Sequence, residues 1–208
     1  LGTLWSGRKI GTIGRIGCFS FQSFKLMNAG EGGMLITCDP DIIARAIIMS
    51  GAYEHNWKKH PVAHDRFVFW QNKLPLYNMR MNNLSAAVVR PQIQEVPRRA
   101  SAGRANHDYV ARILNASAWL HVPAPLGKEL RAPDSIQFNL RGFGSDEEAK
   151  AFQRSANEKG VEVQIFGLSG DNARAFWNWE FIGQQSDLKQ TRAMLMRACD
   201  VRLPARLR

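Results

Sequence analysis

From Ile13 to Phe21 small and apolar residues alternate, the rhythm of a strand that ends in a tight loop. Gly33-Met34-Leu35-Ile36-Thr37 reads as the next strand, reached through a glycine-rich turn. Ahead of both, Leu1 to Gly17 reads as a strand and a glycine-punctuated turn. Gly11, Gly14 and Gly17 lack the spacing of a dinucleotide fingerprint and the helix that should follow it, so they are turn chemistry. Asp39-Pro40 then opens a helix, with Asp39 capping free backbone N–H groups and Pro40 at the first helical position. Ile42, Ile43, Ala46, Ile47 and Met49 give that helix an apolar face running to Gly51.

The rhythm breaks between Gly51 and Leu76, where Tyr53, His55, Trp57, His60, His64, Phe67, Phe69 and Trp70 sit among charges. A segment this long is expected to be a lid or a subunit contact. Leu84 to Leu114 is helical in composition, interrupted near Pro91 and Pro97, with Tyr109, Val110, Ile113 and Leu114 as a core-facing stripe. The proline-rich stretch His121 to Pro133 marks a domain boundary. A strand, helix and strand follow over Ser135 to Leu140, Ser145 to Lys159 and Val161 to Phe166. Ser145 with Glu148 forms a capping box, and Gly160 stops the helix. Phe176 to Phe181 is aromatic enough for a binding surface, although buried anchors are the expectation. Leu188 to Cys199 fits a further amphipathic helix.

With 208 residues and 45% hydrophobic content, the chain can bury the core of one or two domains. It has no run near the roughly 18 uninterrupted apolar residues of a membrane span. Cys18, Cys38 and Cys199 show no metal-like spacing and fit a reducing cytoplasm. His60 and His64 stand at i and i+4, but Pro61 lies between them and His55 gives no clear third ligand, so polar loop histidines are expected and no metal site. The formal net charge of +10 points toward an anionic partner. The basic residues are scattered, however, and no zinc-knuckle or aromatic RNA-binding signature accompanies them, which speaks against a nucleic-acid-binding module.

The densest chemistry lies in Cys18-Phe19-Ser20-Phe21-Gln22-Ser23-Phe24-Lys25 and the Gly30-Glu31-Gly32-Gly33 behind it. A lysine amine in this place can condense with the aldehyde of pyridoxal 5'-phosphate (PLP), and Ser20 can hydrogen-bond its phosphate. Held between two buried strands, Lys25 would be desolvated and its lone pair freed. Spacing alone leaves open a solvated lysine in a hairpin.

Gly7-Arg8-Lys9-Ile10-Gly11-Thr12-Ile13-Gly14, Phe19-Ser20-Phe21-Gln22, Lys25 and Gly30-Glu31-Gly32-Gly33 together resemble the lysine segment of the DegT/DnrJ/StrS sugar aminotransferases. Tyr77-Asn78-Met79-Arg80-Met81, with Leu84-Ser85-Ala86-Ala87 and Gln92, resembles the family's Asn-Tyr-Arg-Met segment and the helix after it. Ser135 to Leu140 and Cys199 to Pro204 fit its small C-terminal domain. The resemblance implies an α/β protein of PLP-dependent transferase fold type I, the aspartate aminotransferase fold. Residues 1–120 would be the C-terminal part of the large PLP-binding domain, and 121–208 the small C-terminal α+β domain.

It further implies a PLP-dependent aminotransferase that moves an amino group from an amino acid to a keto sugar, nucleotide-linked keto sugar or cyclitol. Lys25 would be the Schiff-base lysine and general base, Ser20 a phosphate ligand, and Asn78 a phosphate ligand for the neighbouring subunit of a homodimer. Gln22 would be a candidate substrate contact. Arg80, on the same face of an extended segment as Asn78, could meet an anionic group. Met79 departs from the family's tyrosine, which puts in doubt any substrate or interface contact made there. The resemblance also places the aspartate that pairs with the cofactor's pyridine nitrogen before Leu1, so this chain alone is expected to be incomplete and inactive. A catalytically silent fragment or a regulatory protein that keeps the fold is the alternative.

Overall fold

The computed structural model describes residues 1–52, 55–61, 64–170, 174–183 and 186–204. Among these the strands, in chain order, are β1 (Leu4–Trp5), β2 (Arg8–Lys9), β3 (Gly17–Ser20), β4 (Gly33–Ile36) and β5 (Leu120–His121). They continue with β6 (Glu129–Leu130), β7 (Ser135–Leu140), β8 (Gln164–Ile165) and β9 (Ala198–Arg202). The helices are α1 (Pro40–Met49), α2 (His64–Trp70), α3 (Asn83–Val89), α4 (Val96–Asn115), α5 (Asp146–Glu158) and α6 (Lys189–Leu195). The chain packs as two compact units. One is Leu1–Arg98 with Lys128–Leu130, and the other is Arg99–Gly127 with the chain from Arg131 on.

In the first unit, β1 lies between β2 and β6 in a small antiparallel sheet. β3 and β4 form a separate antiparallel pair, with Gly17 opposite Ile36 and Ser20 opposite Gly33. The chain then turns into α1 at the predicted cap. Asp39 Oδ1 accepts from the amides of Asp41 (2.9 Å) and Ile42 (3.3 Å), with Pro40 at the helix start. Arg15 pairs with the same carboxylate, and Thr37 Oγ1 donates to the Arg15 carbonyl at 2.6 Å. The Arg15 guanidinium first, and the helix amides after it, hold the Asp39 carboxyl below the usual carboxylate range.

Of the 51–76 segment, expected to be a lid or a subunit contact, residues 53–54 and 62–63 lie outside those described, and the rest packs on α1. A 3₁₀ turn at Asn56–Lys59 and then α2 fold back on α1, and Ala44, Ile48, Ala52, Trp57 and Phe67 close into a buried cluster. The Trp57 and Phe67 rings stack at 5.2 Å, and Trp70 Nε1 donates to Asp41 Oδ1 at 2.7 Å. Aromatic burial of this kind has no periodic signature, which is why the pattern looked irregular. The three histidines edge this cluster: His55 and His64 lie against Trp57, and His60 lies against Phe67.

The second unit is built on an antiparallel sheet in the order β5-β7-β9-β8. Ile136, Phe138 and Leu140 of β7, Ile165 of β8 and Cys199 of β9 face a core that also takes Val122, Ala149, Val163 and Leu203. From α4 the core receives Val110 and Leu114, whereas Tyr109 and Ile113 of the predicted stripe stay exposed. The capping box of α5 forms as read: Ser145 Oγ accepts from the Glu148 amide, and Glu148 Oε2 accepts from the Ser145 amide. The predicted helix from Leu188 to Cys199 is corrected. α6 stops at Leu195, and Cys199 lies in β9 opposite Phe138 and Ile165. A strand there has its backbone paired on both sides, which a last helical turn could not offer. Burial pushes the Cys199 thiol up to about 12.

The aromatic run also differs from the buried anchors expected. Phe176, Trp177 and Trp179 are half-buried along a cleft shared with Leu188 and Arg192, and Phe181 is exposed. Among the described residues no helix is long and apolar enough to cross a membrane.

Candidate active site

The lysine lies in the connection between β3 and β4, and backbone bonds close that connection at its base. The Phe21 amide donates to the Gly32 carbonyl and the Ala29 amide to the Phe21 carbonyl, both at 2.8 Å. Gly32 has φ +139°, a conformation that side chains rarely adopt, so the closure depends on glycine. Phe21, Met27 and Val89, with Ala29 and Val96 against them, form a small core beneath the loop.

Toward the tip, local bonds shape a turn around Lys25. The Lys25 amide donates to the Gln22 carbonyl (2.9 Å), and the Phe24 amide donates to Gln22 Oε1 (2.9 Å). Ser23 Oγ reaches the Gly30 carbonyl (3.1 Å), and Asn28 Nδ2 reaches the Lys25 carbonyl (3.2 Å). Gln22, expected as a substrate contact, thus spends its side-chain oxygen on the turn itself. Ser20, at the end of β3, is exposed, and its Oγ accepts from the Gln22 amide at 3.3 Å. Accepting that bond leaves the hydroxyl its one donor.

Lys25 is exposed, which corrects the picture of a lysine desolvated between buried strands. β3 and β4 make a two-stranded sheet, and Cys18, Met34 and Leu35 on them are exposed as well.

Asn78 and Arg80 lie on a separate extended segment that runs along the end of α1. The amides of Tyr77 and Met79 donate to the carbonyls of Met49 (2.8 Å) and Ser50 (3.0 Å). Gly51, at φ +113°, permits this approach: a Cβ there would sit 2.5 Å from the Tyr77 carbonyl oxygen and 3.4 Å from Arg80 Nε. Arg80 therefore lies over Gly51, and Asn78 is exposed. The segment also touches the lysine loop, since Met81 Cε is 3.5 Å from the position a Cβ on Gly32 would take. The two motif segments are thus brought together through Met81 and Gly32.

One residue with no role assigned from the sequence holds the loop. Gln92 lies in the 3₁₀ turn Arg90–Glu95 that links α3 to α4. Its Nε2 donates to the Asn28 carbonyl (2.6 Å) and to the Val88 carbonyl (2.9 Å), while its Oε1 accepts from the Asn28 amide (3.3 Å). The contact joins positions 64 apart, beyond any local pattern, and only the Gln92 of the resembling segment hinted at it.

The family pattern described as the DegT/DnrJ/EryC1/StrS aminotransferase family matches residues 1–207. Over 134 residues the chain is 31% identical to 3-amino-5-hydroxybenzoate synthase of Amycolatopsis mediterranei, a match covering 63% of this chain and 31% of that protein. It is 34% identical over 104 residues to GDP-perosamine synthase of Vibrio cholerae, covering 50% of this chain and 26% of the relative. The matched stretches cover less than a third of either relative, each match using only part of this chain. Among solved structures, the aminotransferase TlmJ of Streptoalloteichus hindustanus superposes with a TM-score of 0.76 at 18% identity, over 99% of this chain and 51% of TlmJ. The E. coli GDP-4-keto-6-deoxy-D-mannose-3-dehydratase, solved with bound hydrated PLP, gives 0.75 at 20% identity, over 99% of this chain and 54% of the enzyme. Those likenesses fix the fold as that of the PLP-dependent transferases, and the match over nearly every residue fixes the lineage: the chain belongs to the DegT/DnrJ/EryC1/StrS aminotransferase family.

Proposed function

We propose that this chain is part of a PLP-dependent aminotransferase that moves an amino group from an amino acid donor to a keto sugar, nucleotide-linked keto sugar or cyclitol. The observation that carries the reading is the lysine loop, where an exposed primary amine on a braced turn and the exposed Ser20 hydroxyl stand five residues apart. That donor set fits PLP, which needs an amine for its aldehyde and hydrogen-bond donors for its phosphate. When bound, PLP supplies the electron sink and carries the amino group between substrates.

The remaining roles belong to the chain. Lys25 Nζ would hold PLP through its aldehyde, and its amine would serve as the base that takes up and returns a proton during transfer. Ser20 Oγ would donate to the phosphate. Asn78, exposed on its extended segment, is suited to reach the phosphate held by a second copy, so the working unit is a homodimer with shared sites. Arg80 adds a cation near the same place for an anionic group. Gln22 shapes the turn first, and any substrate contact by it goes through its amide nitrogen. The setting we infer is cytoplasmic.

Borohydride reduction of the full protein with PLP, followed by peptide mass analysis, tests the reading. The reduced pyridoxyl adduct is expected on the peptide carrying Lys25, and Lys25→Ala should abolish both adduct and amino transfer. An adduct on another lysine, or wild-type turnover by Lys25→Ala, would overturn it.

A further inference from the structure

We propose that Gln92 is a positioning residue for Lys25, acting through Asn28. The inference rests on the reading of Lys25 as the PLP-binding lysine. The Gln92 side-chain amide makes three bonds to backbone: its two N–H donors meet two carbonyls, of Asn28 and Val88, and its oxygen takes the Asn28 amide. Two carbonyl acceptors require the NH₂ end, so the orientation of the side chain is fixed by its partners. Val88 is a residue of α3, where helical bonding gives way to the 3₁₀ turn, and Asn28 is in the lysine loop. One side chain therefore clamps the loop to a helix end.

The clamp continues to the lysine. Asn28, gripped at both its amide and its carbonyl, sends its own Nδ2 to the Lys25 carbonyl, and the Lys25 amide is held by Gln22. The backbone of Lys25 is thus fixed on both sides while its amine stays exposed. An amine that must meet one aldehyde carbon gains from such a mount, because small misplacements of a reacting group are costly in rate. Beneath the loop, Phe21, Met27 and Val89 hold the base through packing, so removing Gln92 should loosen the tip and leave the base in place.

Hydrogen exchange resolved by peptide, on the full protein without PLP, tests this with Gln92→Leu, which keeps the volume and loses all three bonds. Exchange over residues 24–30 should accelerate about tenfold, as expected for loss of several hydrogen bonds in a local opening unit, with α1 and β7 unchanged. At PLP limiting for the parent, the borohydride-trapped fraction on Lys25 should fall by a similar factor. Exchange within twofold of the parent, or acceleration spread equally over α1, would overturn the assignment. If Gln92→Leu does not fold, Gln92→Glu serves. It keeps the acceptor for the Asn28 amide and sets a carboxylate against two carbonyls, and no acceleration there is equally fatal. Trapping on a lysine other than Lys25 in the parent would sink the functional reading and, with it, the positioning role that rests on it, whatever the exchange shows. Normal trapping with unchanged exchange would sink the Gln92 role alone.

Discussion

Asp39 and Lys25 show two ways in which a charged side chain is used in the first unit. Asp39 is tied to Arg15 and to two helix amides, and all of its chemistry goes into starting α1. Lys25 has its backbone tied and its amine left exposed. The sign of the Asp39 effect follows from its lowered pKa: the group adds stability above the ordinary carboxylate range, and that contribution is lost as pH falls through its own lower value. Asp39→Asn should therefore melt earlier than the parent near neutral pH, and the gap should close in acid once the lowered Asp39 carboxyl takes up its proton. A gap that held constant across thermal melts at descending pH would mean that the Arg15 pair contributes nothing. The cap itself was readable from Asp39-Pro40 because capping is local chemistry. The exposure of Lys25 was not readable, since it depends on what covers β3 and β4.

Elements whose signals sit within a few residues were legible, and those assembled by distant contacts were not. The capping box at Ser145 and Glu148 and the face of α1 belong to the first kind. The second kind includes α2, whose Phe67 finds Trp57 and Ile48 only after the chain reverses, and β9, whose Cys199 needs strands on both sides. Phe67 is wholly buried, so Phe67→Ala should cost about 3–5 kcal/mol, in line with large aromatic truncations in cores. Denaturant unfolding followed by Trp57 and Trp70 fluorescence would measure it. A cost under about 1 kcal/mol, small for a core truncation, would mean that Phe67 does not anchor α2 on α1.

For the whole molecule, the proposed homodimer makes each site depend on two copies. A Lys25→Ala protein mixed with an Asn78→Ala protein, each inactive alone, should regain activity, ideally about a quarter of parental in an equal random mixture because half the dimers carry one intact site. Mixed dimers that form and stay silent would show that Asn78 serves its own subunit. The fold class was legible because the lysine segment and the Asn78 segment both resemble one family, whereas the braces between them are side-chain bonds that no motif encodes.

The sheet of the first unit has a consequence for the order of events during synthesis. β1 pairs with β2 a few residues away, but its other edge waits for β6, which arrives after Gly127. On the ribosome, Leu4 and Trp5 must keep an open ladder while α1 to α4 and β5 emerge, so the first unit cannot finish before the second has begun. A pause in translation before Leu130 is added would leave that edge bare and available to a neighbouring nascent chain.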